Sequence, residues 1–232
     1  MSCPENRRFV LAITGASGVI YGIRLLRVLV QAGHEIDLLI SPAGRDVLEQ
    51  ELGIALDLEA FELGLLEPFF VDGMPTGNSL QNIQQSREES ATLTEAASPR
   101  LTERVFYWHY RDWSSPLASG SSAREAMVIC PCSLATLASI VHGISDNLIR
   151  RAAEVHLKER RSVIVVPRET PLSTIQLRNL YRASRLGIVV LPAMPGFYHR
   201  PKSVEELVDF VVARVCDQLR IKHNLAKRWP AV

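Results

Sequence analysis

FVLAITGASGVIYGIRLL, residues 9–26, joins a short apolar run to a longer apolar-rich segment through the glycine turn Thr14-Gly15-Ala16-Ser17-Gly18. Phe9 to Thr14 has the length and branching of a buried strand. The segment from about Ser17 to Ala32 has helical length and stops at Gly33, a residue suited to a C-terminal cap. A strand that feeds a glycine turn and then a helix points backbone N–H groups and the positive helix end at one spot, the local chemistry of a phosphate site. Turns of this shape also serve packing alone, and position does not separate the two.

The same alternation continues downstream. A second strand, EIDLLIS, ends at Ser41 and is followed by PAGRDVLEQEL, a helix with Pro42 in its first turn. AMVICPC (126–132) is a strand, and SLATLASIVHG is a helix with Ser133 as N-cap and Gly143 beyond its end. DNLIRRAAEVHLKERR (146–161) reads as a basic amphipathic helix, and SVIVVPRE as a strand. Thr170-Pro171 is expected to cap and open the next helix, which ends at Gly187. IVVLPAM is the last strand, and Ser203 with Glu206 forms a capping box for a final helix to about Ile221. Strands alternating with helices predict a parallel sheet covered on both faces. From about Glu67 to Arg104 the chain is polar and lacks periodicity, so a mobile loop insertion is expected there, within one domain spanning 1–232.

Composition narrows the function. The net charge is +1, with 26 Lys and Arg against 25 Asp and Glu, so no global field favours nucleic acid or an anionic membrane. No apolar stretch approaches the ~20 residues that span a bilayer, and the N-terminus lacks a signal-peptide core, which together predict a soluble, cytoplasmic protein. Cys3, Cys130, Cys132 and Cys216 have neither zinc-site spacing nor the density of a disulfide scaffold. Cys130 and Cys132, two apart in a strand, are expected to share a face as small buried residues. A protein-bound catalytic metal is not expected, since no histidine pair has ligand spacing.

A dinucleotide is the tempting guest for the first turn, but its fingerprint needs a third glycine and an acidic residue after the second strand. Here the strand ends Leu39-Ile40-Ser41, and Glu35 and Asp37 come too early. Ser41, and Ser133 to Thr136 after the third clear strand, offer hydroxyls and amides that converge on an anionic group at the carboxyl edge of the sheet. In VPRETPL (166–172), Arg168 can fix phosphate and Glu169 can move protons, or the two form a surface ion pair. PGFYHRP brings Tyr198, His199 and Arg200 to the next strand end. By pattern alone, Lys158 and Arg214 read as solvated helix faces.

TGASGVIYGIRLL, PCSLATLASIVHGISDNLIRRAAEVHLKERR, VPRETPL and PGFYHRP, in that order, resemble the flavin prenyltransferase family, FMN-binding partners of ubiquinone-pathway and phenylacrylic-type decarboxylases. RDWSSPLASGSS (111–122) resembles the family's Ser-Gly-Ser segment more loosely, and the resemblance omits roughly 55–118. It implies a three-layer, Rossmann-like, flavodoxin-type α/β fold with a mainly parallel sheet. It also implies transfer of a dimethylallyl group from dimethylallyl phosphate to reduced FMN, at N5 and then C6, without a metal. The product, prenylated FMN, would serve a separate decarboxylase. Family members assemble into large symmetric homo-oligomers, dodecamers, whose sites lie where subunits meet.

By the same resemblance, Gly15, Ala16, Ser17, Ser41, Ser133, Leu134, Ala135, Thr136 and Arg168 contact FMN. Ser17 lies near N5 in a proton relay, and Glu51 and Glu169 take the positions of the catalytic carboxylates. Lys158, Tyr198 and Arg214 hold the phosphate of dimethylallyl phosphate or pyrophosphate, which the residues do not distinguish. The segment between the second helix and the Ser-Gly-Ser segment is longer than the family's and is expected to be peripheral to the site. Two other classes remain open at this level: an FMN-dependent cysteine decarboxylase of the same fold, and a non-catalytic flavin carrier.

Overall fold

The computed structural model describes residues 6–70 and 101–226. Six parallel strands lie in the order β3-β2-β1-β4-β5-β6: β1 Arg8–Ile13, β2 Glu35–Ile40, β3 Val105–Trp108, β4 Ala126–Cys132, β5 Ser162–Pro167 and β6 Val189–Val190. The helices are α1 Val19–Gln31, α2 Pro42–Leu52, α3 Leu101–Arg104, α4 Leu134–Val141, α5 Leu148–Lys158, α6 Thr174–Arg185 and α7 Val204–Gln218. This is the doubly wound strand order, and its winding reverses between β1 and β4.

Burial on both faces explains the continuous apolar strands. Phe9, Leu11 and Ile13 of β1 pack with α1 and α7, whereas Val10 and Ala12 pack with α4 and α5. Among the described residues no helix is long and apolar enough to cross a membrane.

Several boundaries differ from the sequence expectations. α6 is opened by Ser173 rather than Thr170-Pro171: its hydroxyl accepts from Gln176 N while Gln176 accepts from Ser173 N, a full capping box. At α7 the Ser203 hydroxyl accepts from Glu206 N as expected, but the Glu206 carboxylate accepts from Lys202 N instead of closing the box. The expected insertion at 67–104 has ordered ends. Leu63–Phe70 forms a 3-10 turn with Leu66 and Phe69 buried, and α3 leads directly into β3, an edge strand absent from the sequence assignment. The rest of that segment, 71–100, lies outside the described residues.

Cys130 and Cys132 are buried but do not share a face. The β4–β5 register shifts between Ile129 and Cys132, where Pro131 has no N–H for the ladder, so Cys130 packs with the α1 and α7 side and Cys132 with the α4 and α5 side. Burial pushes both thiols up, Cys132 to about 12, which leaves them inert as nucleophiles.

One buried charge ties four strands. Asp37, fully buried on β2, accepts from Arg8 Nε at 2.8 Å, Arg124 Nε at 2.6 Å and Trp108 Nε1 at 2.7 Å. Arg8 opens β1, Trp108 ends β3 and Arg124 precedes β4, so one carboxylate fixes their relative placement. Asp37→Asn is expected to destabilise the fold by about 3–5 kcal/mol, because it leaves the partly buried Arg124 guanidinium without a counter-charge and Arg8 with only Glu35, at 3.6 Å. Urea unfolding at pH 7.5 measures this, and a loss below about 1 kcal/mol would show that water replaces the carboxylate.

Burial holds His156 below the ordinary histidine value of 6.5, with Arg124 and Arg161 adding to the effect while the Ala152 carbonyl opposes it. Burial, then Arg7 and Arg104, do the same for His34. The unfolded chain therefore takes up these protons before the folded one does as pH falls. Stability should be full above pH ~6.5 and decline below it, and His156→Leu should flatten the decline in a thermal-melt series from pH 7.5 to 5.

Candidate active site at the carboxyl edge

Thr14, immediately after β1, is buried, and its hydroxyl works in both directions. It donates to the Pro131 carbonyl at 2.9 Å and accepts from Ser133 N at 2.8 Å, while Thr14 N donates to the same carbonyl at 3.2 Å. The ends of β1 and β4, where the winding reverses, are thereby pinned together.

The glycines of the first turn answer to packing and backbone shape. A Cβ on Gly15 would lie 2.4 Å from Ala43 Cβ, and one on Gly44 would lie 2.6 Å from the Ile13 carbonyl oxygen, so the turn and the start of α2 interlock at backbone distance. Gly18 adopts φ 98° as the N-cap of α1, a conformation other residues rarely take. The α1 amides are not open: the Glu51 carboxylate accepts from Gly18 N at 2.9 and 3.1 Å and from Val19 N at 3.1 Å. Packing therefore shapes this turn, and the protein's own carboxylate stands at the helix start.

The start of α4 differs. The Ser133 hydroxyl accepts from Thr136 N at 3.2 Å and donates to the Thr136 hydroxyl at 2.9 Å. Leu134 N and Ala135 N, in the first turn, have no partner within the helix and can face a ligand. Ser41 caps α2 by accepting from Gly44 N at 3.0 Å and keeps its hydroxyl hydrogen to donate.

From the end of β5, Arg168 reaches across the crevice and donates from Nε to the Ser17 carbonyl at 3.3 Å. Glu169, exposed beside it, accepts from Thr170 N at 3.1 Å and lines a depression with Arg168, Leu172, Pro192 and Met194. Gly15, Ala16, Ser17, Ser41, Glu51, Ser133 to Thr136, Arg168 and Glu169 thus gather at one edge. In the loop after β6, the Tyr198 ring meets Phe210 edge-on at 5.7 Å and the His199 ring stacks on Phe210 at 5.5 Å. Arg214, one turn along α7 from Phe210, donates to Asp217 at 2.5 Å and lines a second depression with Met194 and Phe210.

Lys158 is elsewhere. It ends α5, ahead of β5, and pairs with Glu159 beside Gly120, where a Cβ would lie 2.5 Å from its Nζ. The length of β5, roughly 20 Å at about 3.3 Å per residue, separates it from Arg168 in one chain. The Ser-Gly-Ser segment shares this amino edge. Sequence reasoning missed Thr14, whose only signal is a polar residue ending a buried strand. Among the described residues no group of three His, Cys, Asp or Glu side chains could hold a metal ion.

Thr14→Val keeps the shape and removes both side-chain bonds, leaving Ser133 N without its acceptor. A loss of about 1–3 kcal/mol is expected in urea unfolding, largely restored in Thr14→Ser. Equal stability of the valine and wild-type proteins would mean that the pin contributes nothing.

A family profile described as Flavoprotein matches residues 2–216. The chain is 47% identical over 232 residues to flavin prenyltransferase UbiX of Pseudomonas aeruginosa, covering 99% of this chain and 96% of that protein. The solved structure of AnUbiX (PadA1) in complex with FMN and dimethylallyl pyrophosphate matches with a TM-score of 0.73 and 32% identity, covering 98% of this chain and 99% of that one. A dodecameric FMN-dependent UbiX-like decarboxylase from Escherichia coli O157:H7 matches with a TM-score of 0.72 and 31% identity, over 97% and 100% of the two chains.

Proposed function

The chain belongs to the flavin prenyltransferases of the flavoprotein family, and from that premise we propose that it transfers a dimethylallyl group from dimethylallyl phosphate to reduced FMN. The observation that carries the reading is the bridge from Arg168 to the Ser17 carbonyl, which brings the first and third motifs to one crevice.

The residues there fit the flavin. Hydroxyls at Ser41 and Thr136, open amides at Leu134 and Ala135, and the Arg168 guanidinium form a donor set matched to a phosphate and a polar ring edge. Reduced FMN, when bound, supplies the atoms that accept the prenyl group, N5 and then C6. Ser17, exposed at the turn with its backbone carbonyl accepting from Arg168, is the proposed proton relay at that face, through its hydroxyl.

Breaking the allylic C–O bond leaves its electron pair on the departing phosphate and cationic character on the prenyl carbon. Cations around the phosphate lower that barrier, and Glu169 is the group that moves a proton to the phosphate. Lys158, Tyr198 and Arg214 are the proposed phosphate ligands. Since Lys158 lies at the far end of β5, the cluster needs a second copy of the chain, in keeping with a homo-oligomer. The product would pass in the cytoplasm to a separate decarboxylase.

Anaerobic incubation with reduced FMN and dimethylallyl phosphate, followed by mass spectrometry of the extracted flavin, should show the gain of one C5 prenyl unit. An unchanged flavin mass would sink the reading. Glu169→Gln should bind FMN with unchanged colour and lose on the order of 10²-fold or more in product formation. Normal turnover in that variant would remove Glu169 from the proton path.

A further inference from the structure

In sheets of this strand order, a dinucleotide seats its pyrophosphate against the amides that open the helix after β1. Here that seat is filled from within. Glu51, in the last turn of α2, places both carboxylate oxygens on Gly18 N and one of them also on Val19 N, at 2.9–3.1 Å. The backbone is closed on the same side, because Gly15 rests on Ala43 with no room for even a Cβ.

We propose that Glu51 is a specificity-determining residue: its carboxylate occupies the pyrophosphate seat at the start of α1 and excludes dinucleotides, leaving the α4 side of the crevice for a mononucleotide. The mononucleotide's identity as FMN rests on the proposed function, whereas the filled seat does not. Two groups of like charge cannot share two amides, so a pyrophosphate must either displace Glu51 or bind beside its charge. Ser41 acts in the same sense from the end of β2, where a dinucleotide fold carries an acidic residue for the ribose. Glu51 thus discriminates against the pyrophosphate and Ser41 fails to reward the ribose, two independent barriers to one ligand class.

The test compares wild type, Glu51→Gln and Glu51→Ala in crystals soaked with selenate, located by its anomalous signal, and in solution by calorimetric titration with ADP-ribose. Selenate is expected within hydrogen-bond distance of Gly18 N and Val19 N in the alanine variant and absent from that position in wild type. ADP-ribose affinity should rise roughly tenfold or more in Glu51→Ala and by a smaller, measurable factor in Glu51→Gln, with salt weakening the gain. If the alanine variant fails to fold, the glutamine variant, which keeps an acceptor for the amides, carries both measurements. Selenate at those amides in wild type, or no gain in ADP-ribose affinity in a folded variant, would overturn the proposal. FMN loading is followed separately by flavin absorbance, so a protein that does not load FMN refutes the proposed function while the selenate and ADP-ribose results still decide the role of Glu51.

Discussion

The close approach of α2 to the turn after β1 is the constraint on which the carboxyl edge depends. Gly15 against Ala43, and Gly44 against the Ile13 carbonyl, remove the space a side chain would occupy, and Ser41 N completes the contact by donating to Ile13 O at 3.0 Å. Once α2 begins there, its last turn brings Glu51 to the start of α1 and its N-cap brings the Ser41 hydroxyl to the crevice. A methyl group at Gly15 would force these elements apart, and the seat, the hydroxyl and the Arg168 bridge would all move with them. Packing and ligand selection are therefore not alternatives at this turn. The close packing sets which anion the helix start receives.

Much of this was legible in the sequence because one signal repeats. Apolar runs alternating with helical segments marked β1, β2, β4 and β5, and Ser133 and Ser203 cap their helices as expected, while Ser41, read as a strand end, caps α2 as well. β3 was not legible: Val105–Trp108 is four residues long, three of them aromatic, and it follows a polar segment rather than a helix of ordinary length. The face of Cys132 was lost for a different reason. Period-two logic holds only while the ladder is regular, and Pro131 interrupts it one residue earlier.

The site was legible in part. Residue types at strand ends pointed to Ser41, Ser133, Arg168 and Glu169, and the fold brings these to one edge. Position could not show that the α1 amides are already occupied, since Glu51 lies 33 residues from Gly18 and nothing local links them. Lys158 and Arg214 looked like solvated faces by pattern, and in a single chain they are largely that: Lys158 pairs with Glu159 and Arg214 with Asp217. Any role in holding a phosphate requires exchanging those exposed pairs, which contribute little each, for a more strongly charged ligand.

That exchange bears on why the cations are kept apart in the monomer. A cluster of Lys158, Arg168 and Arg214 assembled within one chain would repel itself whenever the phosphate was absent, a standing cost to a marginally stable fold. Kept apart, Lys158 pairs with Glu159, Arg214 pairs with Asp217 and Arg168 rests on the Ser17 carbonyl. In the proposed oligomer the cluster would form only where copies meet, and association energy would offset the repulsion. The proposed function would then tie turnover to assembly, because the edge bearing Arg168 and Glu169 lacks Lys158, and the edge bearing Lys158 lacks both. Under the proposed function, the quaternary state would be a condition of the chemistry rather than an addition to it.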